Sequence, residues 1–422
     1  MNRNSDIYDD QVPNLINKLI RFIGRAEIKR CLDHYQRSLQ LSGPIFREYY
    51  LKIRHPWWEA LKEYFELEKS GKPKKRNLTN GIKILAGDAK KISVLQRLMP
   101  EKIREKYKRD LIDDDRAFDY LFEIQIAWHF FLKGYEIIWY EDESKKHSEF
   151  LVKEPAFEFN VECKRISVDI ARKVRRKDFY RLAEKLLLKI ENRGYRGTID
   201  IILHERLHSS DKYLNDLSTQ VIAKITNGDL KGNYEIDFGL VNIDLKIADG
   251  SIIDFNERLR NLLQRKSHNS HGAIFAKSRN HQPVDSIEMT VMSEKSDNVL
   301  DRIKDTLYEA AKNQMEGSKP GLICCYLEGI NDLTELAQNS ALQIMTSLLL
   351  LKEDLKHIAA VSYSSENIIN KFANTETYFN QGLIFRNPCC KFEKAKDYKY
   401  LNNIHSEFQY RLSDIIPSRT NG

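Results

Sequence analysis

No apolar run in this 422-residue chain approaches the ~20 residues that a membrane-spanning helix needs. The longest, ALQIMTSLLLL at 341–351, suits a core helix. None of the six cysteines (Cys31, Cys163, Cys324, Cys325, Cys389 and Cys390) forms a Cys-x-x-Cys pair, which argues against a zinc knuckle or ribbon. Their placement suggests no disulfide framework either. Cys163 and the Cys324-Cys325 pair lie in strand-like apolar runs and read as buried free thiols, in keeping with a reducing cytoplasm. The chain has no Gly-x-Ser-x-Gly elbow and no glycine loop ending in Gly-Lys-Ser/Thr, so a serine hydrolase of that type and an ATP-driven motor are not expected. Internal repeats and low-complexity tracts are absent. The opening stretch, MNRNSDIYDDQVP, has no apolar signal core, and a cytoplasmic location with no membrane partner is the expectation.

What is present suits a soluble globular protein of more than one domain. Hydrophobic residues make up 41% and charged residues 31%, a balance that disordered chains do not show. The net charge of +7 permits a polyanionic partner without requiring one, so where the charge clusters matters more than its total. Residues 1–110 read as a helical accessory domain. FREYYLKIRHPWWEALKEYFELEK mixes aromatics and charges at helical spacing, with a break at Pro56, and the basic loop GKPKKRN follows at 71–77.

From residue 113 the pattern changes. Asp113, Asp114 and Asp115 suit the start of a helix, which runs through RAFDYLFEIQIAWHFFLKG and stops near Gly134. YEIIWY (135–140), EFLV (149–152) and FEFNVECK (157–164) read as strands. A helix reaching about 193 and the strand GTIDIILHE come next. This gives helix-strand-strand-strand-helix-strand, an α/β core expected over 111–210. Residues 211–422 read as an α/β extension, one that continues the core sheet or forms its own domain. It contains an amphipathic helix over 298–315, the strands GLICCYLEG and IAAVSYS, a long helix over 333–353 and a terminal helix.

Three acids and one lysine carry the chemistry. In the 157–164 strand, Phe157, Phe159, Val161 and Cys163 alternate with Glu158, Asn160, Glu162 and Lys164, so Glu162 and Lys164 share a face. Glu149 begins the preceding strand, and a hairpin would bring it beside Glu162. Glu123 sits in an almost wholly apolar helix, where a carboxylate is costly unless paired, hydrogen-bonded or bound to a cation. Crowded carboxylates repel, a divalent cation relieves the repulsion, and oxygen ligands favour Mg²⁺ or Mn²⁺. A lysine alongside can orient a water and stabilise charge on a phosphate. The bland alternative is a same-face ion pair for Glu162 and Lys164 and an outward-turned Glu123.

This set resembles the PD-(D/E)XK nuclease superfamily, which has the restriction-endonuclease-like fold, over about residues 113–205. The resemblance implies that Glu149 and Glu162 bind Mg²⁺ (or Mn²⁺) together with the backbone carbonyl of Cys163. It further implies that Lys164 activates water and that Glu123 supports the site. It implies DNA as substrate, with RNA cleavage and a catalytically inactive binding module as alternatives. Cutting both strands with one site per chain would call for a homodimer, and the flanking regions resemble those of restriction or phage-defence effectors, which answer to a regulatory partner or trigger. The family usually has aspartate at the first acid, after proline; here Glu149 follows Ser148, and Asp142, Glu143 and Glu154 are nearby alternatives. From Lys164 to Arg196 there are twelve Lys/Arg against four Asp/Glu. Arg165, Arg172, Lys173, Arg175, Arg176, Lys177 and Arg181 are therefore candidate phosphate contacts.

Overall fold

The structure, a computed structural model, describes residues 7–71, 77–140, 147–154, 157–191, 193–226, 230–265, 270–279, 282–329, 341–369 and 377–397. Most of the basic loop at 71–77, the acids Asp142 and Glu143, the start of the 333–353 helix and the terminal helix fall outside these residues. In chain order the elements begin with helices α1 (Val12–Ile23), α2 (Arg25–Leu41), α3 (Pro44–Tyr49), α4 (Trp58–Lys69), α5 (Asn80–Leu95), α6 (Glu101–Asp110) and α7 (Ala117–Leu132). Strands β1 (Glu136–Trp139), β2 (Phe150–Glu154) and β3 (Phe157–Ser167) come next, then α8 (Arg176–Glu191), β4 (Tyr195–Leu203) and α9 (Asp211–Thr226). The chain continues through β5 (Lys231–Ile236), β6 (Gly239–Ile247), α10 (Phe255–Arg265), β7 (Ser270–Arg279), β8 (Gln282–Ser293), α11 (Val299–Asn313) and β9 (Gly321–Glu328). It closes with α12 (Ala341–Leu350), β10 (Ile358–Ile369) and β11 (Thr377–Arg386). The fold is mixed α/β, with mixed sheets.

The chain divides into two units: Met1–Arg37, Arg54–Val168 and Leu300–Gly422 form the first, and Ser38–Ile53 with Asp169–Val299 the second. In the first unit the strands follow the order β1-β2-β3-β9-β10-β11. β1, β2 and β3 form an antiparallel meander, β9 joins β3 in parallel, β10 joins β9 in parallel, and β11 closes the sheet antiparallel to β10. β3 thus has a partner on either side, and both its faces are covered from Phe159 to Cys163.

Helix α7 packs on this sheet because it is apolar nearly all round, the mark of a buried helix. Asp113 prepares its start by accepting the backbone N–H of Asp115 at 2.9 Å and of Arg116 at 3.1 Å. Gly134, at φ +95°, ends it in the left-handed region. Phe130 meets Phe159 of β3 edge-on, 5.3 Å between centroids.

The second unit has its own sheet, β5-β6-β4-β8-β7, and its own core. Leu182, Leu186 and Ile190 of α8 and Leu217 of α9 are buried with Ile199 and Ile201 of β4. The structure here departs from the continuous 111–210 core expected from sequence. α8 and β4 have the expected local structure, but β4 pairs with β6 and β8, not with β3. The helix and strand that follow β3 within the first unit are α11 and β9, after residues 169–299. The NYEIDFGLVNI run at 233–243 forms the β5–β6 hairpin. It turns before Gly239 at φ +147°, where a Cβ would strike the Ile202 carbonyl.

Candidate active site

The β2–β3 register sets the acids side by side. Phe150 faces Val161, so one step back along β2 puts Glu149 against Glu162. Lys164 lies two residues on, along the same face of β3. Glu162 is 1% exposed and ion-paired to the Lys164 ammonium. Neither of its oxygens meets a hydrogen-bond donor in good geometry among the described residues, and the buried Ser148 hydroxyl, next to Glu149, is in the same position. Cys163 lies between Glu162 and Lys164 on the strand, its thiol buried and held protonated by that burial.

The electrostatics follow from this crowding. Burial pushes Glu162 up to about 8, and the charge of Glu149 adds to the push, against the opposing pull of Lys164. Burial also raises Glu149, with Lys164 and Lys106 working the other way. Burial and the charge of Glu149 hold Glu123 well above the usual carboxylate range, opposed by a hydrogen bond from Tyr107 and by the charges of Lys106 and Lys164. For Lys164 burial lowers the pKa, but Glu162, Glu149 and Glu123 together outweigh it and raise the group above its ordinary value. Lys164 is an ammonium, surrounded by carboxylates that resist losing their protons. Glu149, Glu162 and Lys164 therefore act on one another, and Glu123 joins them through Glu149 and Lys164.

Helix α6, which sequence reading assigned to an accessory domain, also reaches the site. The Tyr107 hydroxyl donates to Glu123 and accepts the Trp139 indole N–H at 3.3 Å. Tyr107, Glu123 and Trp139 are all buried. The Lys106 ammonium lies 5.4 Å from the centre of the Tyr120 ring. Asp119 of α7 is raised by burial, and Arg165 and Lys164 oppose that. Sequence reading missed these residues. Their only signal was helical spacing of aromatics and charges, which any packed helix shows.

Of the expected phosphate-binding cations, Arg165 lies in the first unit with the acids. Arg165 is engaged by Asp119 at 3.0 Å, Glu328 at 3.0 Å and the Asp115 carbonyl at 2.8 Å. Arg172, Lys173, Arg175, Arg176, Lys177 and Arg181 belong to the second unit. There Arg181 pairs with Asp178 and Asp211, while Arg175 and Lys177 are exposed. Glu154 is no substitute for Glu149: it ends β2, about 17 Å along the strand. A cavity of about 500 Å³ lies at that far end, lined by Lys153, Glu154, Phe157, Glu158 and Lys319, away from the acid pair. Its glutamates, Glu154, Glu158 and Glu393, are matched by Lys153, Lys319 and Lys394, with Glu158 paired to Lys319 at 3.3 Å, so the chemistry is read from the acid pair and not from the cavity.

The donor set suits a hard divalent cation, because the groups are oxygens and the carboxylates of Glu149 and Glu162 are crowded together and enclosed. Among the described residues no three His, Cys, Asp or Glu side chains are arranged to hold a metal unaided. Mg²⁺ keeps several waters and is commonly held by one or two carboxylates, so two acids meet its need. No helix of the described residues is long and apolar enough to cross a membrane. The chain matches no protein-family model, no curated protein and no solved structure among those compared.

Proposed function

We propose that the chain is a metal-dependent nuclease of the PD-(D/E)XK type that hydrolyses phosphodiester bonds in DNA. The observation that carries this reading is the placement of Glu149, the residue before β2, against Glu162 of β3, with Lys164 two residues beyond on the same face. The order α7-β1-β2-β3-α11-β9 supports it. This is helix-strand-strand-strand-helix-strand, the order that the restriction-endonuclease-like fold implies, with residues 169–299 set between β3 and α11.

Glu149, Glu162 and the Cys163 backbone carbonyl would hold Mg²⁺ or Mn²⁺, which supplies Lewis acidity at the phosphate and lowers the pKa of an attacking water. Lys164 stays protonated beside its carboxylates, so it orients the water and stabilises charge developing on the phosphate. Glu123, anchored by Tyr107, sets the charge around Glu149 and Lys164. The second unit and helices α1–α5 would select substrate or regulate cutting, and double-strand cleavage would take two copies. A role in restriction or phage defence rests on analogy with effectors of that build.

The test is cleavage of supercoiled plasmid with Mg²⁺, Mn²⁺ or EDTA by the intact protein and by Glu162→Ala. Metal-dependent nicking that falls at least about a hundredfold in the variant is expected. Nicking that survives Glu162→Ala would place the chemistry elsewhere. Wild-type DNA binding without nicking would favour the inactive module, and cutting of RNA alone would change the substrate.

A further inference from the structure

We propose that Lys106 of α6 contacts a phosphate of the DNA beside the bond that is cut, a step that rests on the nuclease reading. Two ammonium groups act on both Glu123 and Glu149, namely Lys164 and Lys106. Lys164 is taken up by Glu162. Lys106 has no ion pair or hydrogen bond among the described residues. Its place is fixed by its neighbours. Tyr107, the next residue, is tied to Glu123; the rings of Tyr107 and Tyr120 meet edge-on at 4.8 Å; and the Lys106 ammonium stands over Tyr120. The charge is thus delivered to the rim of the acid cluster on a half-buried stem.

The charge balance explains why a cation is needed there. With Glu123 held protonated by burial, two ionised ligand carboxylates, one divalent cation and Lys164 sum to a single positive charge, and Glu162 holds the Lys164 ammonium within the cluster, which leaves little at the rim to attract an incoming phosphodiester. Arg165 does not help, because Asp119 and Glu328 flank it. An unpaired lysine supplies the missing positive charge, and its flexible point-charge head suits a phosphate oxygen.

The test measures binding with cleavage switched off. A short fluorescent DNA duplex is titrated with Glu162→Gln protein and with the same protein carrying Lys106→Gln or Lys106→Arg, over a series of salt concentrations. Loss of one phosphate contact lowers the slope of log affinity against log salt by about 0.9 and weakens binding about eightfold at about 0.1 M salt. Lys106→Arg, which keeps the charge, should restore both. Unchanged slope and affinity in Lys106→Gln would overturn the proposal. So would weaker binding by both variants at an unchanged slope, the sign of a merely structural role, or an effect on RNA and not on DNA. Failure of the parent to bind either nucleic acid would remove the nuclease reading itself, and the proposal with it.

Discussion

A carboxyl group as enclosed as Glu162 prefers its proton. Its folded value is pushed up to about 8, against an ordinary value of 4.5, so the folded state binds this proton more tightly than the unfolded chain does. The stabilisation is fully present below the ordinary value and is lost as pH rises through the folded one. In EDTA, thermal stability should therefore fall from about pH 5 to about pH 8, and less steeply in Glu162→Gln. Mg²⁺, which binds the ionised form, should raise the melting temperature more at pH 8 than at pH 6. Parallel pH curves for the two proteins, with a pH-independent Mg²⁺ effect, would show that Glu162 is not strained in this way. Tyr107→Phe removes the donor from a buried carboxylate and should cost about 1–3 kcal/mol in urea unfolding. An unchanged midpoint would mean that Glu123 finds another partner. Glu162 and Lys164 were legible in the sequence because period two is a local property. Tyr107 and Lys106 were not, because their meaning comes from contacts with another helix, Glu123 and Tyr120 of α7.

At the scale of elements, β3 was legible over 157–164, though it runs three residues further to Ser167, and α7 was legible from its apolar composition. Glu149 needed the hairpin register as well, which Phe150 opposite Val161 supplies. β8 carried little signal: Asp285, Ser286 and Glu288 interrupt its alternation, and only the pairing with β4 and β7 makes it a strand. Arg165 links α7 to β9 through Asp119 and Glu328. Arg165→Ala should cost about 1 kcal/mol in stability, kept small because both acids are partly exposed, and should leave the salt dependence of DNA binding unchanged. A lower salt slope without loss of stability would restore Arg165 as a phosphate contact.

For the whole molecule, the sequence could not reveal which helix and strand complete the first sheet. α8 with β4 and α11 with β9 are both amphipathic helix followed by apolar strand, and local pattern does not distinguish them. The pairing partners do: β4 goes to β6 and β8, and β9 goes to β3. Each unit carries its own sheet, so calorimetry should resolve two transitions, with Leu186→Ala lowering one of them by about 2–5 kcal/mol. A single transition shifted as a whole would mean that the units unfold together. The most direct measurement is Mn²⁺ binding, followed by calorimetry, in the intact protein, Glu162→Ala and Lys164→Ala, with plasmid nicking measured on the same samples. If the acids hold a cation and Lys164 works on what approaches it, the intact protein binds Mn²⁺ and nicks. Glu162→Ala then loses both, while Lys164→Ala keeps the cation and loses nicking. If Glu162 and Lys164 are only an ion pair within the sheet, no variant changes Mn²⁺ binding, and both lose stability instead.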